Sequence, residues 1–388
     1  MATFTKLTDE QQPVISVNPN HKIAKIEDNT YGGFTEHMGR CIYGGLYDPG
    51  SPLSDENDYR KDVIEAFQEL KCPVVRYPGG NFIATYHWQD GIGPREKRPK
   101  KQELAWHGIE TNEFGTDEFL RWCEVVGTEP YLALNFGTGT LDEAMASPEH
   151  LKNATAPRSA ERAIEITASL IDLARIENKI PNNIPRQKIC FDEWNVWDPV
   201  RAPGWLGAEE KYTLSDALAV AVWLNVFIRQ AKYIGMATIA QSVNVISPLM
   251  TTKNGLLKQP TWWPLLLFSK HMRGQTIGVN VQCGEYEGQT KPEWIRGTIE
   301  TPWLDVSASI NDEGIVSLVV VNIHETKSFA TKLEGVSGKV DVFTVAGPSI
   351  DAVNTEEKEE VGIAESSWDG QGLYEFPQAS MTMLRWKP

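Results

Sequence analysis

Two acidic side chains precede a pair of tryptophans in the stretch KICFDEWNVWDPV, near the middle of the chain. Ile189 and Phe191 alternate with other residues ahead of Asp192 and Glu193, and this period of two predicts a buried strand that ends in carboxylates. Carboxylates at such a position can act as acid, base or nucleophile, and indoles offer flat apolar faces that suit a sugar ring. For Glu193 taken alone, a carboxylate in a salt bridge remains the simpler interpretation.

Other polar side chains follow strand-like apolar runs in the same way. Glu36 follows GGFT, Asn81 follows VVRYPGG, and Gln241 follows MATIA. Each has an ordinary structural alternative: a salt-bridge carboxylate for Glu36, a turn residue for Asn81 and a satisfied buried amide for Gln241. His87 and His107 have no second His or Cys at ligand spacing, so neither a metal nor another cofactor is predicted.

The elements that would position these groups alternate between strands and helices from Tyr31 to about Met272. Five apolar runs predict strands, and helical spacing of apolar residues predicts a helix near each of them. One predicted helix starts at Thr116 as N-cap and stops at Gly127. Such alternation is typical of a parallel sheet covered by helices, as in the (β/α)₈ TIM barrel, whose catalytic groups lie at the carboxyl ends of the strands. A closed barrel needs eight such units, and only five are visible.

The pattern of apolar residues in the sequence changes from about Gly278 onwards. The stretches TPWLDVSASI, GIVSLVVVNIH, KVDVFTVAG and MTMLRWKP alternate apolar and polar residues and are separated by turns. They predict a C-terminal antiparallel β-sandwich. We therefore divide the chain into an N-terminal segment (1–20), a catalytic domain of the barrel type (21–276) and a β-sandwich domain (277–388).

Composition excludes several classes of partner. The chain has 388 residues with 37 basic and 52 acidic side chains, a net charge of −15, which argues against nucleic acid and anionic membranes. Five widely spaced cysteines indicate neither a disulfide framework nor a zinc site. No secretion signal is visible at the N-terminus and no apolar run approaches about 20 residues, so a cytoplasmic location is expected.

Several long motifs, all in the same order, closely resemble the retaining α-L-arabinofuranosidases of glycoside hydrolase family 51, and fungal intracellular members most of all. They are YGGFTEHMGRCIYGG, VVRYPGGNF, YHWQDGIGP, NFGTGTLDEA, FDEWNVWDP and AQSVNVISPLMT. The resemblance implies a (β/α)₈ barrel and a β-sandwich that takes in the N-terminal segment. It also implies release of terminal arabinofuranosyl groups from arabinan and arabinoxylan fragments. Members of the family are often oligomeric, so a homo-oligomer is possible.

The resemblance assigns roles to residues of this chain. Glu193 matches the nucleophile, and Arg76 matches the arginine that contacts it. The remaining substrate-binding positions comprise groups that bind sugar hydroxyls and aromatic residues of the pocket wall. They are Glu36, Asn81 and Gln241 for the hydroxyls, and Trp197 and Trp88, the latter in the Tyr86–Trp88 turn, for the wall.

One block of the family pattern is missing. In the family, GTGTLDEA leads into a helix and then a strand ending in Asn-Glu, whose Glu is the acid/base. Here LDEA meets MASPEHLKNATAP, so the sequence predicts an internal deletion that joins the chain near Ala144–Ser147. No carboxylate between Phe136 and Lys188 follows an Asn at a strand end, and those on the long helix are predicted to be solvated. The seven candidates are Asp142, Glu143, Glu149, Glu161, Glu165, Asp172 and Glu177.

Retaining hydrolysis needs two carboxyl groups about 5–5.5 Å apart, a nucleophile and an acid/base. The sequence therefore predicts an α-L-arabinofuranosidase-like chain with impaired turnover. Two alternatives stay open: a non-catalytic sugar-binding protein derived from the family, and a truncated family member that is unstable.

Overall fold

The computed structural model describes residues 2–134, 150–288 and 299–388. The predicted join near Ala144–Ser147 lies outside these residues, as do Asp142, Glu143 and Glu149. The strands are β1 (Ala2–Lys6), β2 (Val14–Lys25), β3 (Gly32–Phe34), β4 (Val74–Tyr77), β5 (Lys101–Gln102), β6 (Ile109–Glu110), β7 (Glu129–Leu132), β8 (Ile189–Trp194), β9 (Ile234–Ile239), β10 (Leu249–Thr251), β11 (Leu256–Lys258), β12 (Gln275–Cys283), β13 (Leu304–Ile310), β14 (Val316–Asn322), β15 (Phe329–Glu334), β16 (Val340–Ala346), β17 (Gly362–Trp368), β18 (Leu373–Phe376) and β19 (Ser380–Trp386). The α-helices are α1 (Lys61–Leu70), α2 (Thr116–Val126), α3 (His150–Glu177), α4 (Leu214–Arg229) and α5 (Trp262–His271).

Five parallel strands form the sheet that carries the predicted site. Their order is β7-β4-β3-β9-β8, and every neighbouring pair is parallel. These are the five strands that the sequence predicts, and within the described residues the sheet holds no others. The sheet is an incomplete α/β barrel. Parallel strands end on one side of their sheet, so the residues after β3, β4, β8 and β9 meet at a common edge.

The outer strands β7 and β8 are more exposed than the sequence predicts. The expectation of buried strands is wrong here: Glu129, Pro130 and Leu132 of β7 are exposed, as are Cys190 and Glu193 of β8. An outer strand lacks a partner on one side, so its residues lose the cover that a closed barrel would give them.

The Tyr131 hydroxyl and the Cys190 thiol are in hydrogen-bonding contact. These residues belong to β7 and β8, so side chains of the two outer strands touch although their backbones are not paired in the described sheet.

The helices follow the sequence closely. The predicted N-cap Thr116 is instead the first residue of α2: Gly115 is the cap, and its backbone N–H donates to the Glu118 carboxylate over 2.9 Å. Gly127 ends the helix in the left-handed conformation, as predicted. No helix of the described residues is long and apolar enough to cross a membrane.

Helix α3 is tied to its surroundings by a buried ion cluster. Arg229 of α4 donates to Glu161 of α3 over 2.9 Å and to Asp305 of β13 over 2.8 Å, and Arg158 also contacts both carboxylates. The prediction that Glu161 is solvated is wrong. Burial by itself raises the pKa of Glu161, but the two guanidinium groups outweigh it and lower the pKa to about 2.

The eight C-terminal strands β12–β19 belong to one ten-stranded sheet, whose apolar residues enclose a second core. The N-terminal strands join it, because β1 pairs in parallel and β2 antiparallel with β12. The described N-terminal residues thus extend the C-terminal sheet.

Candidate active site

Glu193 stands near the carboxyl end of β8 beside a cationic partner from β4. Its Oε2 lies 3.6 Å from a terminal nitrogen of Arg76, and its side chain is 55% exposed. The same nitrogen lies 3.2 Å from the Asp192 carboxylate, and the guanidinium packs over the Phe34 ring at 4.6 Å. Burial raises the pKa of Glu193, Arg76 lowers it and Asp192 raises it, with a net rise. Arg76 is thereby fixed between two carboxylates and one aromatic face.

Glu36 follows β3 and is almost fully buried, with 3% of its surface exposed. Its Oε1 accepts hydrogen bonds from the Phe82 backbone N–H (3.0 Å) and the Trp106 indole N–H (3.1 Å). Its Oε2 accepts one from the Gln241 amide over 3.1 Å. Burial raises the pKa of Glu36 to about 7, the hydrogen bonds oppose that rise, and the charge of Glu193 adds to it. Glu36 therefore changes charge near neutral pH.

The strand register explains why these groups meet. Phe34 pairs with Arg76, Gly33 pairs with Ile239, and Ile239 also pairs with Trp194. Each functional side chain lies in or just beyond this shared row, so sequence-distant residues are brought to one edge.

The turn after β4 passes between the two acidic groups. A Cβ added at Gly79 would lie 2.4 Å from Glu36 Cγ, and one added at Gly80 would lie 3.3 Å from Glu193 Oε2. Gly79 also has φ +151°, a backbone conformation that disfavours other residues. The two glycines therefore allow the backbone to lie against both carboxylates, and Asn81 follows them with an exposed side chain.

A second layer of buried polar groups supports Glu36. His37 Nδ1 lies 2.7 Å from the Glu110 carboxylate and its Nε2 lies 2.8 Å from the Tyr77 hydroxyl. The His37 ring stacks on Phe82 at 4.6 Å, and Phe82 is the residue whose backbone holds Glu36. Burial by itself raises the pKa of Glu110, but His37 and the hydrogen bonds outweigh it and lower the pKa overall. The contacts of His37 therefore help to hold Phe82, and with it the backbone N–H that donates to Glu36, in position.

Gln241 follows β9 and its side chain is buried at the site. Its amide nitrogen donates to Glu36, while its Oε1 accepts no hydrogen bond from the residues that the structure describes. Asn195, next but one after Glu193, donates to the backbone oxygens of Ala240 (2.8 Å) and Ile246 (2.5 Å). The loops after β8 and β9 are therefore linked at the point where Gln241 leaves its strand.

The aromatic residues only partly follow the prediction. Trp197 is half-buried and its indole N–H donates to the Ala202 backbone oxygen over 2.9 Å. Trp88 is 53% exposed, and no contact with Glu36 or Glu193 is found for it in the described residues. Trp106, which sequence analysis missed, donates to Glu36 instead, and Gly204 packs on its ring. Nothing in its local pattern, QELAWHGIE, distinguishes it from a loop aromatic.

The structure places Glu193, Arg76, Glu36 and Gln241 together, with Asn81 on the intervening turn. Within the described residues, the carboxyl groups that interact with Glu193 are those of Asp192 and Glu36. Asp192 is ion-paired with Arg76, and Glu36 accepts three hydrogen bonds, so neither has an oxygen aimed freely at a leaving group. The site thus brings together a half-exposed carboxylate, an arginine beside it and a buried carboxylate–amide pair, and among the described residues no further carboxyl group faces Glu193.

Three carboxylates of helix α3 are held in ion pairs. Glu165 pairs with Arg162 at 3.0 Å and Asp172 with Arg186 at 2.6 Å, while Glu161 belongs to the buried ion cluster. Ion pairing keeps a carboxylate charged, whereas a general acid must hold its proton. These three carboxylates are therefore poorly suited to donate a proton.

Known proteins resemble this chain over its whole length. Two family profiles match, described as "Alpha-L-arabinofuranosidase C-terminal domain" (residues 192–380) and "Alpha-L-arabinofuranosidase 1 domain" (residues 66–166). A probable alpha-L-arabinofuranosidase C of Aspergillus flavus is 52% identical, with 100% of both chains covered, in an alignment of 503 positions. The α-L-arabinofuranosidase of Thermotoga maritima, solved with arabinose, is 27% identical with a TM-score of 0.83, covering 97% of this chain and 100% of that one. The GH51 enzyme of Thermotoga petrophila is also 27% identical, with a TM-score of 0.79 and coverage of 97% and 100%.

Carboxylates at the strand ends of an α/β barrel sheet, together with these likenesses, define a glycoside hydrolase. Within that class, the chain belongs to the α-L-arabinofuranosidases of glycoside hydrolase family 51.

Proposed function

We propose that Glu193 is the nucleophile of a retaining α-L-arabinofuranosidase reaction on arabinofuranosyl oligosaccharides such as arabinan and arabinoxylan fragments. The carrying observation is its position: a half-exposed carboxylate at a strand end, 3.6 Å from Arg76 and coupled to buried Glu36. A Glu193 carboxylate oxygen attacks the anomeric carbon and displaces the oxygen of the leaving group. The sugar is then bound to Glu193 as a glycosyl ester. A second nucleophile then displaces the Glu193 carboxylate and restores the original configuration.

The neighbouring groups bind the sugar in this proposal. Gln241 Oε1 is a buried acceptor that has no partner among the described residues, and a sugar hydroxyl would satisfy it. Glu36 in its charged form accepts a further hydroxyl, and Asn81 offers an exposed amide directly after Gly80, which lies beside Glu193. Arg76 holds the nucleophile charged and in place. Trp197 and Trp88 remain proposed as pocket walls, with Trp106 added by its contact with Glu36.

We further propose that turnover of natural substrates is impaired because the acid/base is missing. Two observations support this: no free donor faces Glu193 among the described residues, and the 503-position alignment leaves 115 positions without any of this chain's 388 residues. General acid–base help is worth typically 10²–10⁴-fold. A sugar alkoxide needs that proton to leave, whereas an acidic phenol does not.

The test compares leaving groups with and without azide. We expect slow hydrolysis of an activated aryl arabinofuranoside and a rate increase with azide, which attacks the glycosyl ester as an anion and needs no base. Arabinoxylan should be hydrolysed at least about 10²-fold more slowly than by a family member that carries the Asn-Glu strand end. The control Glu193→Gln should abolish both reactions. Full activity on arabinoxylan that azide leaves unchanged would overturn the proposal.

A sugar-binding role without turnover is the second candidate, favoured by the unpartnered oxygen of Gln241. Calorimetry with arabinose should then give heat that Gln241→Ala removes, while aryl arabinofuranoside is not cleaved. Absence of both heat and a thermal shift would dismiss this candidate. A cytoplasmic location stays a prediction from the sequence, and fractionation of the source cells tests it.

A further inference from the structure

The loop between β8 and α4 encloses three buried carboxyl groups. They belong to Asp198, Glu210 and Asp216, whose exposed surface is 3%, 1% and 1%. Arg201, in the same loop, contacts all of them. Its Nη2 lies 2.5 Å from Glu210 Oε1 and 3.1 Å from Asp216 Oδ1, and its Nε lies 3.4 Å from Asp198 Oδ2. A buried charge is costly unless it is paired, so this arginine offsets much of the cost of burying the acids together.

The same carboxyl groups also fasten the backbone at both ends of the loop. The Asp198 backbone N–H donates to the Glu210 carboxyl group over 3.2 Å. At the other end, the Asp216 carboxylate accepts the Thr213 backbone N–H over 2.9 Å, in the capping box that starts α4. Arg201 therefore ties the residues that follow β8 to the first turn of α4.

The opposite side of this loop lies against a group that holds Glu36. Gly204 packs on Trp106, because a Cβ added at Gly204 would lie 2.6 Å from the indole ring. The Trp106 indole N–H is the one that donates to Glu36 over 3.1 Å. Gly207 packs on Gly39 in the same way, since a Cβ added at Gly39 would lie 2.5 Å from the Gly207 backbone oxygen. A shift of the loop therefore reaches Glu36 through Trp106.

We propose that Arg201 is a positioning residue for the sugar site: it holds residues 198–208 against Trp106 and so keeps the indole N–H on Glu36. The inference rests on the proposed function, in which charged Glu36 accepts a sugar hydroxyl. Arg201 does not touch the sugar and acts through Gly204 and Trp106. Its removal leaves buried acids without their cation, which favours opening of the loop to water.

The cluster also gives the loop a response to pH. Burial raises the pKa of Glu210 to about 8, while the Arg201 guanidinium opposes that rise. The titratable groups that face Glu210 among the described residues are Asp198, Arg201, Tyr212 and Asp216. Above about pH 8 the cluster therefore carries three negative charges and one positive charge, and arabinose affinity should fall. Glu210→Gln should keep its affinity up to pH 9, because an amide does not ionise; a fall that this variant retains would contradict the proposal.

Calorimetry of the full chain with arabinose at pH 7 tests the role of Arg201. Burial raises the pKa of Glu36 and the Trp106 hydrogen bond opposes that rise, so without this bond more Glu36 is protonated and cannot accept a hydroxyl. Arg201→Met should therefore weaken binding roughly tenfold. Arg201→Lys retains a charge and should show a smaller loss, and it keeps the test informative if Arg201→Met does not fold. Wild-type affinity in both variants would overturn the proposal.

The matched control removes an arginine at the other end of β3. Arg273 pairs with Asp28 over 2.6 Å ahead of this strand, whereas Glu36 follows it. Arg273→Met should leave arabinose affinity unchanged. An equal loss of affinity in Arg273→Met and Arg201→Met would show that any lost ion pair has this effect, and it would overturn the proposal.

A double-variant cycle separates positioning from a general loss of stability. Trp106→Phe removes the indole N–H and should by itself weaken arabinose binding roughly tenfold. Adding Arg201→Met to Trp106→Phe should weaken binding little further, because both substitutions act on the same hydrogen bond. Fully additive losses would show that Arg201 acts by another route.

Hydrogen exchange tests the same proposal without a sugar. If the wild type binds no arabinose and cleaves no aryl arabinofuranoside, the proposed function fails, but the loop can still be examined. Amides of residues 198–208 should exchange at least about tenfold faster in Arg201→Met than in the wild type, while those of β3 should not change. Unchanged exchange in residues 198–208 would overturn the role of Arg201 whatever the sugar result.

Discussion

At the scale of single residues, the buried carboxylate of Glu36 dominates the electrostatics of the site. Three donors from three separate segments converge on it, and burial still raises its pKa to about 7. A group of this kind binds sugar hydroxyls as an acceptor only above that pH. Glu36 therefore links the charge of the pocket to conditions near neutrality.

This rise in pKa predicts a pH-dependent stability. The unfolded chain releases the Glu36 proton near pH 4.5 and the folded chain near 7, so between these values the folded state holds more protons. Its contribution to the free energy of unfolding falls as the pH rises from 4.5 to 7, by about 3 kcal/mol at 1.36 kcal/mol per pKa unit. Glu36→Gln should lose this dependence. Denaturant titrations at pH 5 and pH 8 measure how much the free energy of unfolding changes between these values, and the exposed Glu65→Gln is the control. The same change for Glu36→Gln and for the wild type would contradict the account.

The glycine turn after β4 gives a second prediction at this scale. Gly79→Ala should displace Glu36 and strain the backbone, because its Cβ would lie 2.4 Å from Glu36 Cγ at a φ of +151°. In Gly80→Ala the new Cβ would lie 3.3 Å from Oε2, at the end of the Glu193 side chain, so this substitution should lower the stability less. Thermal melts should rank Gly79→Ala as the less stable variant, and arabinose binding should fall most for it. The reverse order would contradict the described turn.

The polar residues that the structure brings together were named from two sources: Glu36, Glu193 and Gln241 follow apolar runs, and Arg76 came from the family resemblance. Glu36, Arg76, Glu193 and Gln241 meet as strand ends must in a parallel sheet. Trp106 was missed because it reaches Glu36 from a long loop, and no local pattern encodes where such a loop folds back.

At the scale of elements, the ion cluster between α3, α4 and β13 predicts a large loss on substitution. Arg229→Met would leave Glu161 and Asp305 buried with one partner fewer, and it should lower the free energy of unfolding by about 3–5 kcal/mol. Arg162→Met removes only an exposed pair and should change it by less than about 1 kcal/mol. Urea unfolding followed by fluorescence measures both. Equal losses would contradict the burial of the cluster.

The same cluster shows where periodicity fails as a guide. Helical spacing predicts α3, yet it placed Glu161 on a solvated face, because the sequence does not reveal that Arg229 and Asp305 arrive from other elements. Likewise β8 has the composition of a buried strand. Its exposure follows from the absence of a neighbour in the described sheet, which no residue of β8 records.

At the scale of the whole molecule, the five-stranded parallel sheet is open within the described residues, while the C-terminal sheet has ten strands. No described strand pairs with the outer sides of β7 and β8, so backbone groups there lack partners in this part of the chain. We expect amide hydrogens of central β3 and β4 to exchange slowly and those on the free sides of β7 and β8 to exchange fast. Hydrogen exchange read by mass spectrometry tests this. Equal protection across the five strands would show that the sheet is closed.

The number of strands was predicted correctly, since five apolar runs correspond to five described strands. Their order also follows from the barrel pattern implied by the resemblance. How far the two outer strands curl towards each other could not be predicted, because it depends on side-chain contacts such as Tyr131 with Cys190.

The central claim is that Glu193 attacks the sugar and that no partner carboxyl completes the cycle. The most direct measurement mixes the full chain with an aryl arabinofuranoside and follows the protein by intact mass spectrometry and peptide mapping. The account predicts a rapid release of one phenol per chain and a long-lived arabinosyl ester on Glu193, which azide removes. Steady turnover of arabinoxylan with no accumulated ester on Glu193, and no effect of azide, would contradict it.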